Sequence, residues 1–220
     1  TGVESTLDLS MDGAKGTLLQ VAGSINLDVF GFVQLSGDFA IEKSSQQIVL
    51  APQGTAEPET LEVDLLSIGA SNVNAFAGLN GGTEDAIGLD LQGVEFGLAL
   101  LSAKPAGTGT GTGAGGAGTG TGAGTGTGAA ATPVRSWTSL QASVDSASFI
   151  GVDGLTLEAT GLAININQAG QIGDAVVDYS AGKTELAVAT GVESTLDLSM
   201  DGAKGTLLQV AGSINLDVFG

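Results

Sequence analysis

The sequence predicts an all-β, elongated fold built from tandem repeats: a β-solenoid-like or continuous-sheet rod, with tandem β-sandwich domains as the alternative. Three observations carry this. Residues 1–31 recur letter for letter as 190–220, apolar residues fall on alternate positions over long stretches, and glycine, 37 of 220 residues, punctuates those stretches. Period-two alternation is the pattern of a strand with two unlike faces, and few segments show the 3.6-residue period of a helix.

The repeat fixes the domain organisation. Free surface positions match along with the rest, such as Lys15 with Lys204 and Ser24 with Ser213. Shared fold constraints do not hold such positions constant, so recent duplication or a homogenised array is the economical explanation. Residues 1–189 read as one unit and 190–220 as the start of the next identical one. A single domain with duplicated ends is the other reading. Inside the unit, GTLLQVAGSINL from Gly16, GLDLQGVEFGLAL from Gly88 and GLTLEATGLAINI from Gly154 share a weaker pattern, irregularly spaced as strand blocks with variable loops would be.

From Leu19 to Ile41 every odd position is apolar or Gly, while Gln20, Ser24, Asn26, Asp28, Gln34, Ser36 and Asp38 occupy even positions. A straight strand of this length would measure about 76 Å at roughly 3.3 Å per residue, far beyond ordinary strands. The chain must bend, and Gly23, Gly31 and Gly37 are the expected corners. A two-residue turn at Ser36-Gly37 would put Leu35 and Asp38 on one face. Solenoid corners, bulges or odd-length loops keep the phase and are favoured. This assigns the odd positions to a dry interior, with Val21, Ile25 and Leu35 in the core. Alternation returns at Leu61, Val63, Leu65, at Ile87, Leu89, Leu91, at Phe96, Leu98, Leu100 and at Leu162, Ile164, Ile166. Outward acids such as Glu62, Asp64, Asp90, Glu95 and Glu158 suit strands that must not stick to one another.

Residues 107–128 hold only Gly, Thr and Ala. They cannot bury a core, so they read as a linker or surface loop. A thin silk-like strand is the alternative, because Gly alternating with small residues leaves one bare face.

Composition narrows the chemistry. With no Cys and no His there is no disulfide, no thiolate or imidazole zinc site and no Ser/His or Cys/His nucleophile. Acids outnumber bases 24 to 6, giving −18 at pH 7, so nucleic acid and anionic lipid headgroups are repelled. No apolar run approaches the roughly 20 residues of a spanning helix, and no membrane insertion is expected. SAGKT at 180–184 ends like a Walker A loop, but Val177 stands where its first Gly is required. Ser180-x-x-Lys183 needs a helix that Gly182 discourages. No enzyme and no organic cofactor is expected.

Calcium is the ligand the loops suit best, since it takes hard oxygen donors. MDGAKG, LNGGTED and GVDG offer Asp12, Asn80, Glu84, Asp85 and Asp153 beside turn-forming Gly. None matches an EF-hand or the Gly-Gly-x-Gly-x-Asp nonapeptide, and plain Asn/Asp-Gly turns account for the same residues.

SINLDVFGFVQLSGDF, SNVNAFAGLNGG and RSWTSLQASVDSASFIGVDGL resemble the repeats of very large bacterial secreted proteins of the adhesin-like and biofilm-matrix class. The resemblance implies an extracellular or cell-surface setting, type I secretion and calcium-assisted folding. It transfers no functional residue. Two functions are expected from it and from the array. One is a structural fibre, stalk or matrix whose partner is itself, end to end, with divalent cations between acidic surfaces. The other is an adhesive module gripping a glycan or surface, which would need exposed rings where the unit offers Trp137, Tyr179 and a few Phe.

Overall fold

The computed structural model describes residues 11, 13, 16–104 and 134–219. Both readings of the Gly/Thr segment 107–128 concern residues outside this set. The described residues form an all-β fold. Strands β1 (Leu19–Val29), β2 (Val33–Leu50), β3 (Glu59–Leu79), β4 (Ile87–Ala103), β5 (Ser136–Ile150), β6 (Leu155–Ala169) and β9 (Leu207–Val218) make one seven-stranded sheet in that order. Every neighbouring pair is antiparallel. Between β6 and β9 the chain crosses one face of the sheet as a lid, which holds the short hairpin β7 (Ala187–Ala189) and β8 (Thr195–Asp197) and a 3₁₀ turn at Gly202–Lys204.

The meander explains the unbroken phase of 19–41. A three-residue loop, Phe30-Gly31-Phe32, joins β1 to β2 and pairs Val29 with Val33, so odd positions stay on one face. Phe30 (φ 50°) and Gly31 (φ 71°) take left-handed conformations there, and Phe32 N–H donates to the Val29 carbonyl at 2.9 Å. Gly37 lies at a register shift between β2 and β3, and Gly23 lies inside β1 with no bend assigned to it. Of the three phase-keeping devices expected, an odd loop and a bulge are the ones found here. Coils stack parallel strands, and none is found among the described residues.

Opposed residues share a face, so the register traces each face across the sheet. One row runs Val21, Ile41, Ile68, Leu98, Leu140, Ile166, Leu208; another runs Val29, Val33, Ala77, Leu89, Phe149, Leu157, Leu216. Between them lie Gly23, Phe39, Ala70, Phe96, Ala142, Ile164, Val210 and Leu27, Leu35, Ala75, Leu91, Ala147, Ala159, Ile214. This face is wholly apolar along those rows. The opposite face is polar there, as in the row Asp28, Gln34, Phe76, Asp90, Ser148, Glu158, Asn215.

Towards the other end of the strands the sides exchange. The polar run Lys43-Ser-Ser-Gln-Gln47 in β2 interrupts the pattern. Beyond it Ile48, Leu50, Val63, Leu65, Ala99, Leu101 and Trp137 point to the second face and are buried under lid residues Val177, Tyr179, Leu186, Val188, Leu198 and Met200. This is the core. The expectation of a dry interior for 19–41 is overturned: Leu27 is 42 % and Val33 43 % exposed, because among the described residues the sheet is a single layer there and none covers its apolar side. Val21 and Ile25, expected in the core, are exposed on the same face.

Candidate functional site

The features with most bearing on function are the two sheet edges and the joint between them. Among the described residues β1 and β9 each have one neighbouring strand, β2 and β6, so each is an edge strand of the sheet. They are also one sequence: β9 repeats 18–29 at an offset of 189 residues. In an antiparallel order of seven, the first and last strands run the same way. Their faces agree too, because Leu27 and Leu35 on one edge and Leu216 and Leu157 on the other lie on the apolar side. Phe219 ends β9 with φ 60°, matching Phe30 after β1. The second copy of the strand thus sits one sheet-width along, in the same pose, with the same turn begun.

The joint is built from both copies. Residues 190–206, the repeat of 1–17, supply β8, Leu198, Met200 and the 3₁₀ turn to the lid. Tyr179 N–H donates to the Met200 carbonyl at 3.0 Å and Leu198 N–H to the Leu186 carbonyl at 3.0 Å. Gly202 N–H donates to the Asp178 carboxylate at 3.2 Å, which also accepts from Ser180 N–H and Oγ–H at 3.0 and 2.7 Å. Partial burial pushes Asp178 up, yet these bonds and the nearby Lys183 charge outweigh it and hold the carboxyl below its ordinary range. The repeated methionine shows the outcome: Met200 is 5 % exposed and Met11, the same residue of the first copy, 67 %. The sequence boundary at 189/190 falls within the β7–β8 hairpin, so the folded unit is out of phase with the sequence unit.

Beneath the lid, a chain of buried polar groups is paired. Tyr179 Oη–H donates to Ser139 Oγ (2.8 Å), Ser139 Oγ–H to Asn167 Oδ1 (3.2 Å) and Asn167 Nδ2–H to the Val177 carbonyl (2.7 Å). Trp137 Nε1–H donates to the Ala175 carbonyl at 2.8 Å, and Arg135 lies over the Trp137 ring while its guanidinium grips Glu59 at 2.8 Å. Burial pushes the Tyr179 hydroxyl well above the ordinary range, only partly offset by Ser139.

Of the residues singled out as calcium ligands, Asp12 lies outside the described residues. Asn80, Glu84 and Asp85 fall in the β3–β4 turn and Asp153 in the β5–β6 turn. Glu84, Asp85 and Asp153 line one cleft there, and Asn80 Nδ2–H donates to the Asp85 carbonyl. Among the described residues no three acidic side chains converge as a metal-binding group. SAGKT is a lid turn: Lys183 N–H closes on the Ser180 carbonyl, and the Thr184 hydroxyl bonds the backbone of Val49. What sequence reading missed was the lid itself. Its signal was present in the repeat, since a segment that closes one unit and opens the next has two contexts.

No helix among the described residues is long and apolar enough to cross a membrane. Compared with family models, curated proteins and solved structures, the chain matches none.

Proposed function

We propose that the chain is part of a structural, filament-forming extracellular protein, a fibre, stalk or biofilm-matrix component, in which the sheet of each unit runs on into the next. The observation that supports this most is the single sequence occupying both sheet edges in one direction and one facing. Where β9 stands, a following β2 would pair exactly as β2 pairs with β1, and the unpaired edge of β1 would receive a preceding β6. The environments of Met11 and Met200 agree with this: the opening of a unit is built to rest on the unit before it. An extracellular setting rests on the resemblance to secreted adhesin-like repeats. Divalent cations belong to this reading as a screen between acidic surfaces rather than at a built site, since Glu84, Asp85 and Asp153 line the turn cleft without converging as a metal-binding group. Glycan adhesion has less support, because Trp137 and Tyr179 are buried and the exposed rings, Phe30, Phe32 and Phe219, lie at the β1–β2 turn and its repeat after β9. No catalytic role is proposed.

Six inter-strand spacings separate β1 from β9 in the sheet order, so each added unit should lengthen the ribbon by about 29 Å at roughly 4.8 Å per spacing. Small-angle scattering of chains with one, two and three units measures this. Growth in steps of about 29 Å with one cooperative unfolding transition is expected. Independent beads, with larger flexible steps and unchanged stability, would sink the proposal.

A further inference from the structure

We propose that the apolar face of the sheet docks against the same face of a second copy of this chain, making a two-layer ribbon. This goes beyond edge-to-edge continuation, because it uses a face and holds for a single unit.

The described residues cover one apolar surface of the sheet, with the lid, and leave the other bare. From the Val21 row to the Val29 row the bare face spans about 27 Å along the strands, and seven strands span about 29 Å across. Two such faces would remove roughly 1,600 Å² from water, the size of a standard interface. The relief suits another sheet. Phe39 stands beside Gly23 and Phe96 between Ala70 and Ala142, so knobs alternate with hollows as in sandwiched sheets. A lipid covering is disfavoured. A bilayer requires every strand edge to be paired in a closed barrel and is bordered by Trp and Tyr, whereas among the described residues the sheet is open, with β1 and β9 as its edge strands. The sole Trp and Tyr, Trp137 and Tyr179, are buried on the other side. Stacking should stop at two layers, since the polar faces turned outward carry Asp28, Asp90 and Glu158.

The chain has no cysteine, which makes crosslinking clean. Val94 lies in the middle strand, opposed to Val73 and Val144, and stands near any two-fold axis relating the layers. In docked faces two Val94→Cys residues should lie about 10 Å apart; in edge-joined copies they would lie about 29 Å apart. A bis-maleimide of about 10 Å reach should crosslink V94C chains efficiently, and Leu98→Glu added to V94C should lower the yield at least tenfold with strand content unchanged by circular dichroism. Sedimentation of the unmodified chain should show dimers. Absence of crosslinking in folded V94C overturns the proposal, as does a chain that is single in solution and floats with phosphatidylcholine vesicles. Continued crosslinking with loss of the 29 Å steps would remove the edge reading and leave this one standing.

Discussion

Small residues decide where the lid can rest. Gly69 and Gly97 oppose one another in β3 and β4 and form a smooth floor beneath the β7–β8 hairpin. A methyl on Gly69 would meet the Ala189 carbonyl within van der Waals contact, whereas on Gly97 it would meet Val188 and Leu196 side chains at 3.1 and 3.3 Å. Backbone cannot move aside as side chains can, so Gly69→Ala should cost about 1–3 kcal/mol and Gly97→Ala less, as chemical denaturation would show. Tyr179 offers a pH test. Its folded pKa is raised above the ordinary 10.0, so the folded state keeps a proton that the unfolded state releases. Stability should fall as pH rises above 10, by up to about 1.4 kcal/mol per pH unit, and Tyr179→Phe should flatten that dependence. An unaltered slope in the Phe variant would show that other groups set it. Neither feature was legible in sequence: Gly69 reads as one glycine among many, and Ser139 and Asn167 occupy alternating positions that elsewhere face water.

The elements were read better than their surroundings. Alternation located β1, β2, β3, β4 and β6 and kept their phase, since the odd loop at Gly31 preserves parity. It left open what each face meets, because a period of two is the same in a solenoid, a sandwich and a bare sheet. The lid escaped because residues 170–206 carry no such period and earn burial through contacts far away in sequence. The repeat supplies an internal control. Met200→Ala should cost about 2–5 kcal/mol, for Met200 belongs to the core, while Met11→Ala, the same change in the same local sequence, should be near neutral in this chain because Met11 is exposed. Thermal unfolding of the two variants compares them directly. Equal losses would mean that both copies are seated alike and that the joint is misplaced.

For the whole molecule, apolar face and open edges favour association while a net charge of −18 at pH 7 opposes it. At low salt this repulsion acts over about 30 Å, at 0.1 M over about 10 Å. Association, followed by light scattering, should therefore rise as salt is added at pH 7, and rise again as pH falls towards the pI of about 4.1. The fold should survive that descent. Asp178 has a folded pKa below the ordinary 3.8, so its contribution is present above 3.8 and is lost only as pH drops through the lower folded value. Assembly near pH 4 should thus be of folded units and reverse on returning to pH 7 at low salt, whereas once pH drops through the lowered folded pKa of Asp178 its clasp on Ser180 and Gly202 should open and the joint loosen. Association that ignores both salt and pH would mean that charge does not limit it. Irreversible precipitation at pH 4 with loss of β-sheet signal would place the failure in the fold.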